Sequence, residues 1–171
     1  MAEIFPENNA FKIKALAAYQ IIFGLLGIWF TVQFIITQLN VPVFLSIDMV
    51  FVILYSYSIY CGILLFKNQY PGLTHSLISQ YLQLVFISVA GFGFRYVSGI
   101  FILFGFDLTD SFVVRLNLGL STWNVQISTH SNELFVGCNL VALMLIIFIN
   151  KLKNKIAAEQ EMNALAIGEE I

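Results

Sequence analysis

The feature that most constrains this chain is the length of its uninterrupted apolar stretches. A bilayer core about 30 Å thick takes about 20 apolar residues as a helix. Four stretches reach or approach that length, at about 14–39, 43–66, 73–104 and 133–150. Composition agrees: 59% of the 171 residues are hydrophobic and 11% charged, against about 45–50% and about 25% in soluble domains. Three Pro, eleven Gly and two Cys exclude disorder, collagen-like repeats and a disulfide scaffold. The reading is an integral membrane protein.

The first stretch is too long for the 7–15-residue apolar core typical of a signal peptide and lacks a small-residue cleavage site, so it reads as a retained helix. It stops at Asn40, ahead of Pro42, which cannot continue a helix. The second ends before Tyr70-Pro71-Gly72, a turn signal. As one helix the third would run about 48 Å at 1.5 Å per residue, too long for the core, and a kink near Gly91 is the expected relief. The fourth ends ahead of Lys151, Lys153 and Lys155, and residues 151–171, rich in helix formers, read as a cytoplasmic helical tail. With Lys12, Lys14 and Lys67, these lysines place both termini in the cytoplasm by the positive-inside rule.

Between the third and fourth stretches, at about 105–132, the period changes to two. Phe112, Val114, Leu116, Leu118 and Leu120 alternate with polar or small residues, and after Ser121-Thr122 the phase reverses to Trp123, Val125 and Ile127. A hairpin turning at Ser121-Thr122 puts all eight on one face, although that dipeptide is a poor two-residue turn. The expected fold is therefore an all-α integral membrane bundle of four transmembrane helices, with a small extracytoplasmic β-hairpin between helices three and four.

Asp48 and Arg95 are ionisable residues inside apolar stretches, where a charge is costly and a partner is expected. Counted from the membrane faces, both fall in the outer leaflet, which makes them candidates for an intramembrane pair. Gln20, Gly24, Gly27, Thr31 and Gln38 share one helical face, as do Ser76, Gln80, Gln83, Ile87, Gly91, Arg95 and Ser98. Small and amide-bearing stripes of this kind suit helix packing. His75 and His130 fall about a bilayer apart, so no shared metal is expected. Cys61 and Cys138 are likewise too far apart for a disulfide. Asp107 and Asp110 form D-x-x-D, read as a turn before a cation site. No hydrolase or phosphate-loop motif is present, and no basic surface is broad enough for nucleic acid. No catalytic residue, cofactor or metal is assigned.

The functional expectation is a non-catalytic accessory or scaffold subunit of a multi-protein membrane complex, a hetero-oligomer rather than a lone monomer, in a bacterial cytoplasmic membrane. Its contacts with other integral membrane proteins and with lipid are expected through the helix faces and through Phe112, Leu116, Leu118, Leu120, Trp123, Val125 and Ile127. The alternatives are an oligomeric ion or solute channel lined by Asp48 and Arg95, and a lipid-modifying enzyme using Arg95, Tyr96 and Asp107.

Overall fold

The computed structural model describes residues 7–37, 42–127 and 133–168. The chain ends, Gln38, Asn40 and His130 lie outside them, and with these the expected positions of both termini. In chain order the elements are α1 (Glu7–Thr37), α2 (Pro42–Phe66), α3 (Pro71–Leu82), β1 (Val85–Val89), β2 (Phe92–Asp107), β3 (Val113–Ile127), β4 (Leu134–Asn139) and α4 (Leu140–Gly168). Two helical segments, Asn9–Thr37 and Leu45–Phe66, are long and apolar enough to cross a membrane. The four-helix membrane bundle is therefore corrected: half of the expected third and fourth helices is antiparallel sheet.

The physical reason lies in what an apolar run leaves undetermined, since an unbroken hydrophobic stretch satisfies a buried helix and a two-sided strand alike. Residues 73–104 begin as α3, which has Pro71 at its start, where the missing N–H costs nothing. From Val85 the chain is strand. Gly91 is not a kink in a helix-packing face: Ala90 (φ 48°) and Gly91 (φ 87°) make the two-residue turn between β1 and β2, the positive-φ pair that suits the twist of a hairpin. The fourth stretch likewise spends Leu134–Asn139 in β4 before α4 begins.

β2 is the organising strand. One edge pairs with β3 along nearly its whole length; the other pairs with β1 at Phe92–Phe94 and with β4 at Leu103–Asp107, and β1 and β4 pair with each other. The sheet therefore curls into a cup, and β2 must bend to serve both ends. The bend falls at a bulge, where Val97 faces Thr122 and the next registered pair is Ile100 with Leu120. Bulged backbone loses ladder partners and must find others. Here Ser98 N–H donates to Gln83 Oε1 (2.8 Å), Gly99 N–H to Ser121 Oγ (3.1 Å) and Ile100 N–H to Tyr19 Oη (3.0 Å), while Tyr55 Oη donates to Val97 O (3.1 Å). Gly99, at φ +143°, is open to a residue without Cβ.

This corner corrects the expected hairpin. Ser121-Thr122 is no turn. The reversal of phase there is a bend in one continuous strand, with Trp123 opposite Tyr96 and Leu120 opposite Ile100 rather than opposite each other. Both a turn and a bulge shift the alternation by one residue, so the pattern alone does not separate them. The true β2–β3 turn is at 108–112.

Where the four helices meet, Ile13, Leu16 and Ala17 of α1 pack with Leu65, Leu73, Leu77, Ile146, Ile149, Leu152 and Ile156. α1 and α2 lie against each other through small residues. A Cβ on Gly24 would stand 2.6 Å from Ile59 Cγ1, one on Gly27 2.1 Å from the Tyr55 ring, and one on Gly62 2.7 Å from Ala17 O.

Candidate functional site: a polar cup in an apolar shell

Alternation along the curled strands sends two chemistries in opposite directions. Outward, Phe94, Tyr96, Trp123 and Val125 pack on Phe51 and Tyr55 of α2. Inward, Ser88, Arg95, Asn117, Asn124, Gln126, Asp107 and Arg115 line a cavity of about 550 Å³ with Glu133 at its wall. Its apolar floor is built on Phe86, Leu103 and Phe135, packed with buried Val97 and Phe101. Register brings the polar groups together: Arg95 lies opposite Asn124, Gly93 opposite Gln126, and Leu103 opposite Asn117.

One end of the cup is pinned by Asp107. Its Oδ1 accepts the Thr109 N–H (3.0 Å) and hydroxyl (2.7 Å), an Asx-type turn, and its other oxygen pairs with Arg115. Those hydrogen bonds first, and the Arg115 guanidinium after them, hold the carboxyl below its ordinary range. Thr109 Oγ1 in turn accepts the Leu134 N–H (3.1 Å), and Leu108 N–H donates to Leu134 O (2.7 Å), tying the turn to β4. Asp107 thus serves the turn and an ion pair, and D-x-x-D gathers no cation site. Among the described residues no three His, Cys, Asp or Glu come together as a metal-binding group. Cys61 and Cys138 are free.

Arg95 has a different setting. It faces the cup, whereas its neighbours Phe94 and Tyr96 face α2, so alternation directs it away from the helix that carries Asp48. No ion pair joins the two: among the described residues the ion pairs are Arg115–Asp107 and Lys155–Glu159. Asp48 is 1% exposed on α2 with Oδ1 unpartnered, and Arg95 Nε is buried without a hydrogen-bond partner.

The helix-packing residues meet at a polar node beside the β2 corner. Ser76 Oγ donates to Gln20 Oε1 (3.1 Å), Ser58 Oγ to Gln20 O (3.3 Å), Ser98 Oγ to Ser58 Oγ (3.1 Å), and Gln83 Nε2 to Ser79 O (3.1 Å). Gln80 is buried on the same helix. Thr31 donates to Gly27 O and accepts the Trp123 indole N–H at 3.1 Å. Trp123 is therefore no exposed tip: it stacks on Phe51 at 4.5 Å and meets Phe34 edge-on at 5.2 Å. Val125 packs beside it, while Phe112, Leu116, Leu118, Leu120 and Ile127 are exposed.

Sequence reasoning missed the cup residues Asn117, Asn124, Gln126 and Ser88. For Asn117, Asn124 and Gln126 the signal was present in the polar half of the alternation. His75, by contrast, is held where α3 meets α2, by Tyr57 Oη (3.0 Å) and the Tyr60 ring. Compared with known proteins, the chain matches no family model, no curated protein and no solved structure.

Proposed function

We propose that this protein is an accessory subunit of a membrane assembly, anchored by α1 and α2 and docked to another integral membrane protein along β3. The observation that carries this reading is the outer edge of β3. β3 ends the sheet, with β2 on one side and no strand on the other among the described residues. Its outward row is apolar and bare: Leu116, Leu118 and Leu120 are 67%, 66% and 54% exposed. Ile100, Phe104 and Phe106 of β2 and Val136 of β4 continue that surface.

The position of the sheet adds weight. Its contacts with α1 run from Tyr19 to Phe34, about 22 Å of helix at 1.5 Å per residue. Only 33% and 39% of the apolar windows of α1 and α2 are buried, which suits helices surrounded by lipid rather than a soluble core. A strand at that depth cannot leave its N–H and C=O groups open to acyl chains, since each unsatisfied group costs several kcal/mol there. A strand from a membrane partner, added in the β-augmentation mode, satisfies the edge, and the same interface covers part of the apolar row. Lys12, Lys14 and Lys67 then fall on one membrane side, read as the cytoplasmic face of a bacterial inner membrane.

The test is native mass determination after mild extraction, on the wild type and on a Leu116→Lys, Leu118→Lys variant. A defined hetero-assembly that the variant releases, with its helical content intact, supports docking along β3. A wild-type monomer whose position 118, carrying a photocrosslinker, labels only lipid overturns it.

A further inference from the structure

We propose that the cup is a binding site for a small polar molecule bearing one singly charged, two-oxygen anion, such as a phosphodiester, with hydroxyl groups beside it. The inference is independent of what covers β3.

A small barrel or half-barrel normally fills its interior with apolar side chains. This one packs only its floor with Phe86, Val97, Phe101, Leu103 and Phe135 and keeps a cavity of about 550 Å³, within the roughly 300–1,000 Å³ of small-molecule sites. Such a cavity combines an apolar floor, here Phe86, Leu103 and Phe135, with a few convergent polar groups. Asn124 and Gln126 both lie on β3 opposite the Gly93–Arg95 segment of β2. Gly93 lets them approach: a Cβ there would stand 3.1 Å from Gln126 Cβ and 3.4 Å from Ser88 Oγ.

Arg95 sets the charge of the ligand. Arg115, the other cation of the cup, is already paired with Asp107. Arg95 has no ion pair among the described residues, and its Nε is buried without a partner. A buried charged donor left unmet is costly, and the guanidinium fork presents two parallel N–H groups that fit an anion with two free oxygens. Asp107 is matched by Arg115, and the carboxylates of Asp110 and Glu133 also border the cavity. These two disfavour a multiply charged anion such as a phosphomonoester, and leave a monoanion whose remaining groups accept and donate hydrogen bonds to Asn124, Gln126 and Asn117. A phosphodiester headgroup meets these terms whether it belongs to a membrane lipid or to a soluble glycerophosphodiester.

Two probes separate those sources. Soluble glycerophosphoglycerol is titrated calorimetrically into the detergent-solubilised protein, and phosphatidylglycerol is compared with phosphatidylcholine in nanodiscs carrying the protein. Amide hydrogen exchange at 93–95 and 124–126 is followed in both. Saturable binding of glycerophosphoglycerol, or protection that appears with phosphatidylglycerol and not with phosphatidylcholine, supports the site; the second alone identifies a lipid source. Arg95→Gln should weaken the response at least tenfold, with Arg95→Lys between the two. Asn124→Leu and Gln126→Leu, which leave the cation in place, should each weaken it severalfold and provide the readout if Arg95→Gln fails to fold. No saturable response from either probe on folded protein, or wild-type binding by a folded Arg95→Gln, overturns the proposal.

Discussion

Substitution of Gly99 by Ala tests the corner on which the whole sheet turns. Gly99 sits at φ +143°, and an added Cβ would stand 1.9 Å from Tyr19 Oη and 2.6 Å from Tyr19 Cζ. Two costs follow. Holding a residue with a Cβ in that backbone region costs about 1–3 kcal/mol. Moving the Tyr19 ring away strands the Ile100 N–H, which now donates to Tyr19 Oη at 3.0 Å, and losing such a hydrogen bond costs about 0.5–1.5 kcal/mol. The expected loss is about 1.5–4.5 kcal/mol, a large share of the roughly 5–15 kcal/mol that typically holds a domain together. The two contributions separate in a double-mutant cycle. In a Tyr19→Ala background the clash is gone and the hydrogen bond already lost, so Gly99→Ala should cost only the backbone strain. The coupling should be about 0.5–1.5 kcal/mol, the size of the lost hydrogen bond. Reversible denaturant unfolding in detergent, followed by tryptophan fluorescence, measures each corner of the cycle. A Gly99→Ala protein within about 0.5 kcal/mol of wild type, below the backbone cost alone, refutes the strained corner. An equal cost in both backgrounds refutes the role of Tyr19.

Trp123→Phe should cost about 1 kcal/mol, because it removes the indole bond to Thr31 and keeps most of the stacking on Phe51; unfolding of the variant in the same detergent checks it. Gly27→Ala should destabilise by about 1–3 kcal/mol through overpacking against the Tyr55 ring, and thermal unfolding that leaves it at wild-type stability would contradict the close α1–α2 contact. Asp107 has its pKa lowered on folding, so its contribution is complete above its unfolded pKa of about 3.9. That contribution is lost as pH falls below this through the lower folded value. Asp107→Asn should flatten the acid limb of a stability–pH profile, and an unchanged profile counts against the Thr109 and Arg115 contacts.

The sequence by itself determined much about the two membrane-length helices. Their ends were legible in Pro42 and in Lys67–Gly72, because backbone chemistry there is local: proline forbids a continuing helix, and Asn68 takes the positive φ (53°) that ends α2. The small-residue face Gln20–Gly24–Gly27–Thr31 was also legible, since a 3.6-residue period needs no knowledge of its partner. Period-two alternation through Leu116, Leu118 and Leu120 announced a strand in the same way.

What surrounds those patterns was decided only in three dimensions. An apolar run such as 85–104 fits helix or strand equally until it finds an edge to pair with, and β1, β2 and β4 exist because each supplies that edge to the others. The reversal of phase at Ser121 fits a turn or a bulge, and the choice fell to Gly99, which takes the bend, and to Tyr19 and Gln83, residues distant in the chain that meet the displaced N–H groups. Arg95 and Asp48 share an expected depth, but alternation on a curled strand sends Arg95 inward, away from α2. Polar residues on one side of a strand read as solvent-facing until the sheet curls that side into a cup, and the curl is set by pairings between residues as distant as Val85 and Cys138.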